Sequence, residues 1–167
     1  MTPPPGARAD RSQARRAKIT VRAAEESDLP AVPALHGELN PDDPPLPPAS
    51  AAAVWAAMPD QQGRTVPVAV VGEAVAGTAD CIVVPNLTRG GRAVLFAENL
   101  VVAAACRRRG VGRRLTGAGL RLGEAAGCYE VQLPAADDAY VHTFYFHEAC
   151  GLTGRAAGFR RSLARPE

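Results

Sequence analysis

A chain of 167 residues is long enough for one ordinary domain with a proper core, and gives little reason to expect a second. Its 19 basic and 17 acidic side chains leave a net charge of only +2, which excludes the whole-surface basic footprint of a nucleic-acid binder. No apolar run approaches the roughly 18 residues of a membrane span and no signal-peptide core is visible, so the expected compartment is the cytoplasm, without membrane contact.

Residues 1–18 combine Pro3-Pro4-Pro5 with Arg8, Arg11, Arg15, Arg16 and Lys18 and almost no large apolar side chains. They read as a disordered basic tail ahead of a single domain over 19–167. Ile19 to Ala23 alternates like an edge strand. Ser27 or Asp28 can cap a helix carrying Leu29, Val32, Leu35 and Leu39, although Pro33 asks for a bend or a late start. The stretch from Asn40 to Pro48, with Pro41, Pro44, Pro45, Pro47 and Pro48, predicts a stiff extended loop. Ser50 then caps a short helix through Val54, Trp55 and Met58.

From Thr65 the pattern turns to strands: Val66 to Val71, a tight turn at Gly72-Glu73, Ala76 to Val84, and a loop that reverses the chain into Ala93–Val102. Short turns between consecutive strands predict an antiparallel meander. Val111, Leu115, Ala118, Leu122 and Ala126 then fall at helical spacing, and Cys128 to Leu133 reads as a buried strand. With a helix carrying the crossover, that strand must lie parallel to the one before it. Cys81, Cys106, Cys128 and Cys150 lie far apart and match neither a zinc site nor a redox pair, so reduced thiols and no metal are expected.

The most informative stretch is Arg107-Arg108-Arg109-Gly110-Val111-Gly112-Arg113-Arg114, between a strand and a helix. Glycines at a helix start let backbone approach a ligand, and the free N–H groups with the helix dipole suit a phosphate. A nucleotide P-loop would need Lys and Ser/Thr after its second glycine, and neither is present. A dinucleotide fingerprint would need a third glycine where Leu115 stands. A basic turn that merely starts a helix would also explain these residues taken alone.

The remaining pattern, Arg-x-x-Gly-x-Gly from Arg107 to Gly112, resembles the acyl-CoA pyrophosphate loop of the GNAT superfamily of N-acetyltransferases. Further on, Phe146-His147-Glu148-Ala149-Cys150-Gly151-Leu152 resembles the Phe-Tyr-Glu-x-x-Gly-Phe ending of that superfamily's last helix, with Leu152 as a packing change. The opening strand from Ile19 and the Glu26-Ser27-Asp28-Leu29-Pro30 cap are similar to its first elements. This resemblance implies an α/β (α+β) fold. It would be a mixed, mostly antiparallel sheet of six to seven strands, with helices on both faces and a splayed parallel strand pair.

The same resemblance implies acetyl-CoA as cosubstrate. Its pantetheine arm would pair with the backbone of Leu100, Val101 and Val102. Its pyrophosphate would lie on the N–H groups from Arg108 through Arg109, Gly110, Val111 and Gly112 to Arg113, with Arg107 at the family's Gln/Arg position. Glu98 stands where similar enzymes place a carboxylate that accepts the amine proton, often through water, and burial would raise its pKa toward a useful base. Its other reading is a polar residue that anchors a kink in the strand.

His147 holds the position where many relatives carry a tyrosine acid beside the CoA sulfur. Tyr145 lies two residues earlier and faces another side of a helix, so only one of the two can serve. His142 and His36 have no partner pattern and read as surface histidines, and Cys106 reads as a small packed residue, not an acyl carrier. The acceptor pocket would be walled by roughly Leu35 to Met58, where Glu38, Asp42 and Asp43 can attract a cation by field. Glu98–Val102 with Gly127–Tyr129 is similar to small-molecule members such as amino-sugar N-acetyltransferases. The expected acceptor is therefore the primary amine of a small molecule, acetylated by direct transfer in a ternary complex, in a protein with room to be a homodimer. The missing tyrosine keeps a second reading open: a catalytically silent acyl-CoA-binding sensor.

Overall fold

A computed structural model describes residues 18–134 and 148–154. The chain runs β1 (Ile19–Ala23), a 3-10 turn (Glu26–Asp28), α1 (Ala31–Leu39), α2 (Pro48–Ala57), β2 (Arg64–Thr65), β3 (Pro67–Val71), β4 (Ala74–Val84), β5 (Val94–Val102), a 3-10 turn (Ala104–Cys106), α3 (Val111–Ala125) and β6 (Glu130–Gln132). The meander and the crossover helix appear where the apolar periodicity puts them.

Three local expectations need correction. Asp28 does not cap α1; it accepts the Glu25 N–H at 2.8 Å and takes two hydrogen bonds from Arg22 at 2.6 and 3.0 Å. Those bonds from Arg22 hold its carboxyl below the usual carboxylate range. The helix begins only at Ala31, so Pro33 falls in its first turn, where a missing N–H costs nothing. Ser50 lies inside α2, because Pro48 takes the first helical position and its fixed φ starts the helix three residues earlier than a Ser50 cap would. The strand expected from Val66 starts at Pro67, and a separate two-residue β2 precedes it; both keep one register against β4, with Thr65 opposite Cys81 and Val68 opposite Thr78. Pro67, with no N–H to give the ladder, sits beside the break.

The six-stranded sheet has the order β1-β3-β4-β5-β6, with β2 also paired to β4. Every pairing is antiparallel except β5 with β6, which is parallel. α3 lies on one face, where Val111 and Leu115 pack with Ala69 and Ala76, joined by Ile19, Val21, Val71, Leu100, Val102 and Cys106. Further along that face Cys81, Leu95 and Ala97 meet Leu122, Cys128 and Val131. A Cβ at Gly123 would lie 2.7 Å from Val131 Cγ2, so glycine is what lets the helix settle onto β6. Side chains alternate along a strand, so Thr78 and Asp80 of β4 and Glu98 and Val101 of β5 point to the other face, where α1 crosses β4 and β5. Burying Val32 and Leu35 holds α1 there. This two-sided arrangement is the mixed sheet with helices on both faces that the motif order implies.

Residues 148–154 belong to the second of two units, Pro134–Glu167, and make a turn in which Gly151, at φ +86°, donates its N–H to the Glu148 carbonyl at 2.9 Å. Tyr145 and His147 lie outside the described residues, as does the tail through residue 17.

Candidate active site

β5 and β6 share only three register pairs, Val94–Glu130, Leu95–Val131 and Phe96–Gln132. Beyond Phe96 the strand continues to Val102 with no partner on that edge among the described residues. β5 also carries a bulge. Thr78 faces Val101 while Asp80 faces Glu98, so Asn99 and Leu100 together oppose Ala79. Asn99 takes the left-handed conformation, φ +52°, that lets the extra residue fit. Such a bulge bends the strand and leaves backbone groups unpaired. Leu100, Val101 and Val102 thus lie on an open edge, with Glu98 immediately before the kink.

After β5 the backbone alternates in hand. Arg108 has φ +59° and Gly110 φ +88°, while Arg109 and Val111 stay in the ordinary range. Alternation of this kind turns successive N–H groups toward one concavity, a nest suited to an anion. The first backbone bond of α3 runs from the Arg114 N–H to the Gly110 carbonyl at 3.1 Å. Among the described residues no acceptor meets the N–H groups from Arg108 to Arg113. Six adjacent donors without an acceptor thus adjoin the positive end of a 15-residue helix. Gly110 is required by its φ; a side chain there is strained even though the space around it is open.

The arginine side chains are less involved than the backbone. Arg107 turns back, donating from Nε to the Val102 carbonyl at 2.9 Å and placing Nη2 3.6 Å from Glu38. Arg113 and Arg114 are exposed and, with Lys18, Thr20, Gly117 and Arg121, line an open cavity of about 440 Å³ between β1 and α3. That basic cavity lies beside the edge strand β1, on the opposite side of the sheet order from the β5–β6 edge.

The face under α1 holds the titratable groups. Glu98 is exposed, not buried as the raised-pKa reading required. Directly across the ladder stands Asp80, a buried carboxylate that accepts from Arg64 Nε at 3.0 Å and pairs with its Nη2. Arg64 also donates to Gln61 Oε1 at 2.8 Å. Like charges directly opposite repel, and Arg64 is what makes the Asp80–Glu98 juxtaposition tolerable. His36 of α1 is partly buried, not a plain surface histidine: burial lowers the basicity of its imidazole, against the field of Asp80. On the other face, burial, with the charge of Asp80 adding to it, pushes the Cys81 thiol up to about 11, too weakly acidic for a nucleophile. Cys106 packs against the Val111–Leu115 cluster, as a small core residue does.

Sequence reasoning missed Asp80, Arg64 and the task of Glu38. One signal was available: Asp80 is the only charged residue in the apolar run Ala74–Val84, and a carboxylate there needs a partner.

The family profile described as "Acetyltransferase (GNAT) family" matches residues 32–152. Glucosamine 6-phosphate N-acetyltransferase from Trypanosoma brucei brucei is 30% identical over 150 residues, covering 87% of this chain and 96% of that one. A solved structure from Agrobacterium tumefaciens, whose acetyltransferase designation is provisional, is 39% identical, with a TM-score of 0.80 over 86% of this chain and 99% of that one. An aminoglycoside N-acetyltransferase solved in complex with CoA shares the fold, with a TM-score of 0.70, 22% identity and coverage of 88% and 97%. Profile, identity and fold agree with the open β5 edge and the glycine-loop nest: the chain is an acetyltransferase of the GNAT family.

Proposed function

We propose that this enzyme transfers the acetyl group of acetyl-CoA to a primary amine of a small cationic molecule, directly and within a ternary complex. The observation that carries the donor half is the run of unpaired N–H groups from Arg108 to Arg113 at the start of α3. A pyrophosphate matches that nest in charge and in its demand for donors. The unpaired β5 edge from Ala97 to Val102 fits the amide-bearing pantetheine arm, which can complete the ladder that β6 leaves. CoA bound to a relative of the same fold agrees with this reading.

In the reaction the amine nitrogen bonds to the thioester carbon, the carbon–sulfur bond breaks, and the nitrogen gives up a proton. Glu98, exposed beside the bulge, takes that proton, directly or through one water. Asp80 is already engaged by Arg64, so it serves by its field and leaves Glu98 as the free carboxylate of the pair.

For the acceptor, charge argues for a cation. From Ala23 to Gly63 the chain carries Glu25, Glu26, Asp42, Asp43 and Asp60, besides Asp28 and Glu38, which are paired with Arg22 and Arg107, and not one Lys or Arg. The two arginines nearest this wall are committed, Arg64 to Asp80 and Arg107 to Val102 and Glu38. Among the described residues a phosphate on the acceptor would find repulsion there, whereas an ammonium would find attraction. CoA thiol release measured across spermidine, an aminoglycoside, glucosamine and glucosamine 6-phosphate tests this. Polyamine or aminoglycoside should exceed glucosamine 6-phosphate by about tenfold or more in kcat/KM, the discrimination that about 1.4 kcal/mol supplies. A clear preference for the phosphorylated sugar would reverse the assignment of acceptor class.

A further inference from the structure

Glu38 occupies the last turn of α1, where a carboxylate faces the negative end of the helix dipole and does nothing for the helix. Its work lies elsewhere. Oε2 accepts the Ala104 N–H at 2.9 Å, across 66 residues of sequence, and stands 3.6 Å from Arg107 Nη2. Ala104 opens the 3-10 turn Ala104–Cys106, and the first N–H of such a turn has no partner within it. Glu38 therefore caps, from a distant helix, the turn that leads into the glycine loop. Arg107, drawn to the same carboxylate, donates to the Val102 carbonyl at the end of β5. The neighbouring Ala103 N–H is bonded to the Ala76 carbonyl at 2.9 Å. The segment between the open strand edge and the nest is thus held at three points, and Glu38 contributes to two of them.

We propose that Glu38 is a positioning residue for the donor loop: it fixes residues 103–107 so that the N–H groups of Arg108–Arg113 converge. The inference rests on reading that loop as the acetyl-CoA site. It also means that α1, the wall on the acceptor side, is bonded to the donor loop, so the two halves of the site are built as one piece. Glu38 itself is spent in this role and is not a free charge for the acceptor.

Calorimetric titration of acetyl-CoA into the full-length wild type, Glu38→Ala and Glu38→Gln, with melting curves of the unliganded proteins, tests the assignment. Glu38→Ala should weaken acetyl-CoA about tenfold, the scale for loss of a hydrogen bond to a charged group, while the protein still melts cooperatively within about a few degrees of wild type. Its KM for acetyl-CoA should rise while kcat at saturating acetyl-CoA stays near wild type. Glu38→Gln should bind within about twofold of wild type, because its amide oxygen still accepts the Ala104 N–H. Wild-type affinity in Glu38→Ala would overturn the role. So would equal losses in both variants accompanied by a matching drop in melting midpoint, the mark of a general structural contribution. A wild type that does not bind acetyl-CoA would instead remove the reading of the loop on which the proposal stands.

Discussion

Gly112→Val should fold normally and bind acetyl-CoA at least about 100-fold more weakly than the wild type. Gly112 lies in the first turn of α3, among the N–H groups that no acceptor meets, and its backbone is helical. Valine suits a helical backbone better than glycine does, so the fold should survive. What valine does not tolerate is a phosphate at hydrogen-bond distance from the N–H groups beside it. Losing about two charge-assisted hydrogen bonds, each worth about 1.5 kcal/mol, corresponds to that 100-fold change. Gly110→Ala should weaken binding as well, by a different route: a side chain at φ +88° is strained, so the nest shifts to relieve it. Calorimetry checks both variants. Wild-type affinity in a folded Gly112→Val protein would place the pyrophosphate elsewhere.

The second large effect is expected at Glu98. Glu98→Gln keeps the size and polarity of the side chain ahead of the bulge and removes only the proton acceptor. Turnover should fall by about 10²–10⁴-fold, the usual range for losing a general base. The loss should be greatest at lower pH, where more of the amine is protonated. Affinity for acetyl-CoA should be nearly unchanged, since the unpaired β5 edge offers backbone and not this carboxylate. An unaltered pH–rate profile would return Glu98 to its other reading, a polar anchor beside the left-handed Asn99.

What could be read from the sequence was local. The glycine loop is legible because its chemistry sits in eight consecutive residues, and α3 because Val111, Leu115 and Leu122 repeat at helical period over a long span. The crossover rule then made β6 parallel to β5 without any structure. The start of α2 was misjudged because two start signals compete within three residues, and the preset φ of Pro48 outranks the hydroxyl of Ser50. The rest depends on contacts that sequence spacing does not encode. Asp80 meets Glu98 because the β4–β5 register that starts with Val84 opposite Val94 runs unbroken that far, with the bulge just beyond it. Glu38 reaches Ala104 only because α1 is laid across β4 and β5. Exposure of Glu98 likewise follows from the open edge beside it, not from its neighbours in the chain. Tyr145 and His147, the two candidates for the acid that protonates the departing thiolate, lie outside the described residues and stay candidates on sequence alone.

The most direct test of the account is a backbone amide titration of the ¹⁵N-labelled protein with CoA. The largest chemical-shift changes and the slowest amide exchange should appear at Arg108 through Arg113 and along Ala97–Val102, the unpaired donors of the nest and the open strand edge. Changes centred instead on Lys18, Thr20, Gly117 and Arg121, in the basic cavity between β1 and α3, would contradict it.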